Sequence, residues 1–253
     1  MGLKEILEEE VIDRIWARLP LGPVDLPVSR HMLMIALGSL LLAVGLPLLI
    51  RSRSRALAPF RGMLEIVVLF LRDEVVLPNL GPKGAGYTGY FCTLFFFILA
   101  LNLLGLVPYG ATATGNLAVT AGLALTSFAL INFAGIREQG LIGYFSHLVP
   151  RGVPGWLYPL MFPMELIGLV IKTFALCIRL FANMIAGHIV ILMFISFIFI
   201  AGSYTLALGL GVAPVSVGLI LFMQLMELFV AFLQAYVFVM LTAIFTGAAM
   251  HPH

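Results

Sequence analysis

Two stretches of this chain, residues 159–201 and 213–247, stay apolar for about forty residues each. A helix that crosses a bilayer needs ~20 apolar residues, because the hydrocarbon core is ~30 Å thick and a helix rises ~1.5 Å per residue. Forty residues extend ~60 Å, about twice what an upright helix uses. Both segments are therefore predicted to run strongly tilted, beyond the ~20° average, with a broad common face that wraps around something. Shorter apolar runs of spanning length lie at about 31–50, 88–107 and 116–136. The chain is 62% hydrophobic and 10% charged, where a soluble protein carries about 25% charged residues. Together these features predict an all-α integral membrane protein of five to six helices, the last two forming a long antiparallel hairpin.

The segments between the spans set the organisation. Residues 1–30 form an N-terminal amphipathic segment, with acids alternating with Leu, Ile, Val and Trp16 over 3–18. That spacing predicts a short interfacial helix, broken by Pro20, Pro23 and Pro27. The segment has neither the short apolar core of a signal peptide nor the acid-poor composition of a transit peptide. Residues 60–77 carry Glu65, Arg72, Asp73 and Glu74, too polar for a lipid-exposed span, and read as an amphipathic or partly re-entrant helix. A loop is expected from Arg137 to Gly155, and a Gly-containing turn over 202–212. Residues 31–250 read as one membrane domain. Lys and Arg concentrate in the loops at 51–61, 83 and 137–151, while the turns at 109–115 and 202–212 carry no charge. The positive-inside rule then places the N-terminus outside and the C-terminus in the cytoplasm. A net charge of +2 gives no reason to expect a nucleic-acid partner. Cys92 and Cys177 lie in apolar helical segments and read as small core residues.

Arg179 stands deep inside the apolar run from about Met161 to Ala201. A guanidinium at that depth costs at least ~2.5–3.5 kcal/mol, and Arg does not escape the cost by losing its proton. Such a residue needs a partner, water or a task. A structural arginine held by backbone carbonyls or by one buried acid is the plainer alternative. Glu165, Lys172 and Arg179 recur every seven residues on one helical face, with Asn183 one turn further. Ala175, Ala182 and Ala186 flank Arg179 on that face, and small residues at helical spacing let another helix approach closely. On the last segment Gln224, Glu227 and Gln234 share a face. His188 and Glu227 both become titratable near usable pH where their environments shift them, so on adjacent antiparallel helices they form a candidate proton path. A hydrogen-bonded structural pair is the alternative. The terminal His251 and His253 are two ligands on a free tail and read as solvated, so no metal site is expected.

The stretch Arg179-Leu180-Phe181-Ala182-Asn183-Met184-Ile185-Ala186-Gly187-His188, with Glu227 and Gln234 downstream, resembles the signature of subunit a of rotary F-type ATP synthases. The likeness covers roughly residues 31–250. It implies a proton-channel stator subunit of the Fo sector in a bacterial inner membrane. Arg179 would be the essential arginine, facing the carboxylates of a c-ring around which the hairpin wraps. Gln234 would lie opposite it and Asn183 beside it. His188 and Glu227 would line the outer half-channel, and Glu165 the cytoplasmic side. Many bacterial members carry an acid where this chain has His188 and a histidine where it has Glu227; the exchanged arrangement occurs in mitochondrial and related members. The implied partners are the c-ring, the peripheral-stalk subunit b and the lipid bilayer. No cofactor is implied.

The chain has no phosphate-binding G-x-x-x-x-G-K loop, so ATP chemistry would belong to other subunits of the H+-transporting two-sector ATPase. A secondary ion transporter with an intramembrane arginine site is the rival reading. Such folds usually carry internal repeats and interrupted helices, and neither is apparent in the sequence.

Overall fold

The computed structural model describes residues 15–21, 24–52, 54–107, 112–147 and 157–250. Its first elements are two antiparallel strands, β1 (Ile15–Leu21) and β2 (Val24–Ser29). They replace the last turn of the helix expected over 3–18, whose residues 3–14 lie outside the described residues. The reason is local. Leu19 precedes Pro20, which biases it to extended backbone, and pairing with the second strand satisfies the peptide groups that a proline-broken helix would leave open. A two-stranded ladder has only edges, where proline is tolerated.

The rest is helical. α1 (Arg30–Arg51) begins at Ser29, whose hydroxyl caps the helix by accepting from the Met32 amide. α2 (Ala58–Phe70) continues through a π-helical segment (Leu71–Val76) into α3 (Leu77–Leu80). That π segment buries Leu71, Val75 and Val76 and exposes Arg72, Asp73 and Glu74, so one side packs and the other carries charge. α4 (Thr88–Gly105) and α5 (Leu117–Gln139) follow. The loop expected from Arg137 is helical at its start. Gly140, at φ +74°, ends α5 in the left-handed conformation that glycine adopts without penalty. A short α6 (Leu141–His147) then folds back, with Tyr144 buried and bonded to Asn132. The remainder of that loop, from 148 to 156, lies outside the described residues, as do His251 and His253.

The last two helices are α7 (Tyr158–Tyr204) and α8 (Leu206–Met250). The turn expected over 202–212 is far tighter, because Thr205 caps α8 by accepting from the Leu208 amide. Gly209 and Gly211 are therefore helical, and Pro214 falls within α8 as Pro163 falls within α7. Among the described residues, five helical segments are long and apolar enough to cross a membrane: Arg30–Arg51, Pro82–Gly105, Leu117–Gln139, Pro159–Tyr204 and Leu206–Met250. This is an all-α integral membrane fold preceded by a short hairpin.

The chain divides into two compact units. One comprises the chain up to Leu41, Phe97–Val119 and Leu180–Gln234; its buried residues include Ile98, Leu101, Leu180, Met184 and Ala231. Here α7 and α8 run antiparallel, with Asn183 against Gln234 and His188 against Glu227. The other comprises Leu42–Phe96, Thr120–Arg179 and Ala235–His253. Its interior holds Leu71, Val75, Leu80, Phe91 and Phe238. Lys172 of α7 lies over the Phe245 ring of α8 at 5.7 Å, and Cys177 is buried with its sulfur 3.4 Å from Thr120 Oγ1. Cys92 and Cys177 are both free thiols.

Candidate functional site

Four polar residues predicted from sequence meet in the unit that contains Leu180–Gln234. From α8, Glu227 is 8% exposed and Gln234 3%, in a helix that is otherwise almost wholly apolar. α7 contributes Asn183 and His188. The Asn183 amide donates to Gln234 Oε1 at 3.4 Å. His188 Nδ1 lies 3.7 Å from Glu227 Oε1, within ion-pair range but long for a hydrogen bond.

The imidazole is oriented by two further groups. Nδ1 is 3.1 Å from the Met184 carbonyl, which only accepts. Nδ1 of the neutral ring therefore carries the proton. Nε2 then accepts from the Thr112 hydroxyl at 2.8 Å. A ring held at both nitrogens, with a carboxylate just beyond bonding distance of one of them, is poised to take a proton at one nitrogen and release one at the other.

Gly187 makes the approach of Glu227 possible. A Cβ at that position would overlap the Glu227 carboxylate, so the acid occupies space that any side chain would fill. Hollows lie on both sides of the pair. A cavity of about 30 Å³ is lined by His31, Thr112, Gly115, Met184 and His188, among others. A larger one of about 190 Å³ is lined by Glu227, Gly187, Asn183, Ala186, Met223 and Met226. The pair is thus accessible from one hollow through His188 and from the other through Glu227.

Two polar residues were not singled out from sequence. Asn102 of α4 is fully buried and donates to the Ala231 carbonyl on α8, one turn from Glu227. Its signal was available: an amide inside an apolar run. Thr112 had no such signal, because a threonine in a polar turn is unremarkable until the fold brings it to His188.

Arg179 and Glu165 belong to the other unit. Glu165 pairs with Lys172 at 3.7 Å, both side chains about half exposed. Arg179 is exposed, as are Ala175, Ala182 and Ala186 along the same helix. Among the described residues its guanidinium forms no hydrogen bond and no ion pair. Gln224 is exposed and does not join Glu227 and Gln234 in the interior. No group of three or more His, Cys, Asp or Glu side chains suited to a metal occurs among the described residues.

Comparison with known proteins gives the geometry a context. The chain is 47% identical to the ATP synthase subunit a of Myxococcus xanthus over 240 residues, covering 92% of this chain and 77% of the relative. It is 44% identical to that of Anaeromyxobacter dehalogenans, covering 100% of this chain and 65% of the relative. It is 43% identical to ATP synthase subunit a 2 of Chlorobaculum tepidum, covering 91% of this chain and again 65% of the relative. The chain thus spans just under two thirds of the length of the latter two. Residues 32–247, which include Arg179, Asn183, His188, Glu227 and Gln234, match the ATP synthase A chain family, and the chain belongs to that family.

Proposed function

We propose that this protein is the proton-translocating stator subunit of the Fo sector of a bacterial ATP synthase. Arg179 faces the carboxylates of a rotating c-ring, and His188 and Glu227 line the proton path from outside. The observation that carries this reading is the state of Arg179: a permanent charge midway along a 47-residue apolar helix, exposed, bordered by alanines, with no counter-ion among the described residues. A charge in that setting requires a partner from elsewhere. Flanking alanines suit a closely approaching helix that carries one.

The chemistry follows from electrostatics. A ring carboxyl crosses lipid cheaply only when protonated, because an isolated carboxylate in hydrocarbon is very costly. A fixed cation within ~4–6 Å favours its ionised form, so each carboxyl that nears Arg179 sheds its proton. During synthesis that proton leaves toward the cytoplasm, on the side of Glu165. After passing, the carboxyl takes a new proton delivered by His188 and Glu227. Asn183, bonded to Gln234, adds a polar group to the hollow beside Glu227. Arg179 also repels any proton that would pass directly between the two paths. A membrane potential contributes ~2.3 kcal/mol per charge per 100 mV and biases the direction of rotation.

In this reading α7 and α8 lie strongly tilted against the ring. The N-terminus is outside and the C-terminus cytoplasmic, in the plasma membrane, and a peripheral-stalk subunit b holds the chain against torque. The chemistry of the chain itself is limited to proton transfer. Purifying the complex through a tag on this chain is expected to bring down a ring of short two-helix proteins. A cysteine at exposed Ala186 is expected to form an oxidative crosslink to a cysteine placed in that ring. A purified, active complex without such a ring overturns the reading.

A further inference from the structure

The His188–Glu227 pair leaves a buried histidine without a task. His31 is the second residue of α1 and is 8% exposed. It lines the same cavity as Thr112 and His188. A water needs roughly 10–15 Å³ of such space and two to four polar partners, so about 30 Å³ seats about two waters. The partners are present: the His31 imidazole, the Thr112 hydroxyl and the ring of His188. Met184, Ile185, Ile189 and Leu192 make the rest of the wall apolar and confine the water to that line.

We propose that this hollow is a water site and that His31 is the outermost proton-exchanging group of the outer path. The proposal rests on the stator reading above and extends it by one residue and one relay. A protonated His31 gives its proton to the water. The water passes a proton to the Thr112 oxygen, which gives its own hydroxyl proton to His188 Nε2, 2.8 Å away. His188 then releases its Nδ1 proton toward Glu227, 3.7 Å distant. One proton enters and one leaves, and threonine serves because a hydroxyl donates and accepts at once.

The test uses the whole ATP synthase in sealed vesicles, with synthesis driven by an imposed proton gradient. His31→Gln and Thr112→Val are each expected to slow synthesis roughly tenfold, less than the loss of an essential proton-transfer group because water partly substitutes. Imidazole supplied on the outer side is expected to restore His31→Ala, which a merely structural histidine would not permit. Unchanged rates in assembled His31→Gln and Thr112→Val overturn the relay. If His31→Gln fails to assemble, Thr112→Val decides: a slowed rate supports the relay and a full rate overturns it. Glu227→Gln, measured in parallel, separates the two levels. If Glu227→Gln is slow while the His31 and Thr112 variants run at full rate, only the relay fails. If Glu227→Gln also runs at full rate, the outer path itself fails.

Discussion

Arg179 and His188 sit nine residues apart on one helix, yet the chain treats them in opposite ways. His188 is held at both ring nitrogens and faces an acid that is itself buried. Arg179 is exposed and has no polar partner among the described residues. Under the proposed function, the contrast reflects what each group would have to do. A side chain that hands protons onward needs fixed neighbours on both sides, supplied by its own fold. A side chain that must attract each of a succession of passing carboxylates has to be left unneutralised by its own fold. An internal acid would hold the guanidinium permanently and compete with every arriving partner.

The strongest way to break this contrast is to remove the charge. Arg179→Ala is expected to lower ATP-driven proton pumping in inverted vesicles by at least ~100-fold, equivalent to ~2.7 kcal/mol of lost stabilisation. Its assembly should be intact, since no hydrogen bond or ion pair among the described residues is lost. Normal pumping by the assembled variant would remove Arg179 from the mechanism and leave the internal pair as the only functional feature.

A second substitution probes the internal side. Gly187→Ala puts a methyl where the Glu227 carboxylate lies, so the acid must move or the helices must separate. Proton flux is expected to drop roughly tenfold to 100-fold, comparable to misplacing a catalytic group by ~1 Å. Adding Glu227→Asp, which withdraws the carboxylate by one methylene, should recover part of that loss. Such non-additivity is the sign of a direct contact. If the two losses simply add, Gly187 and Glu227 act independently and the close approach has no functional weight.

The two sites also differ in how far the sequence alone revealed them. Arg179, Glu227 and Gln234 stand out because an ionisable or amide group in an apolar run is costly wherever the helix packs. Helix type and the approximate spans were legible for a similar reason, since length and hydropathy are properties of the segment itself. What the sequence concealed depends on encounters between segments. Thr112 matters only because its turn comes to rest on His188. The acidic repeat before Pro20 suggested a helix, but from Ile15 the backbone is a strand paired with a second one that begins at Val24. The start of α8 at Leu206 hinges on the Thr205 cap, which the glycines around it obscured.

The smallest expected effect tests whether Glu165 belongs with the exposed arginine or with the internal pair. Glu165 and Lys172 are 3.7 Å apart and about half exposed, and such pairs contribute only about 0–1 kcal/mol to stability. If Glu165 is only a structural partner, Glu165→Gln and Lys172→Ala should have matching small effects on stability and none on flux. A role on the cytoplasmic path makes the two diverge. Glu165→Gln removes a proton acceptor and is expected to slow flux by about twofold to threefold, a change of less than ~1 kcal/mol. Lys172→Ala leaves the carboxylate in place, relieved of its cation, and should sustain the full rate. Equal rates in both variants would class Glu165 with ordinary surface ion pairs. The cytoplasmic path would then have to be sought among other residues of the face that carries Arg179.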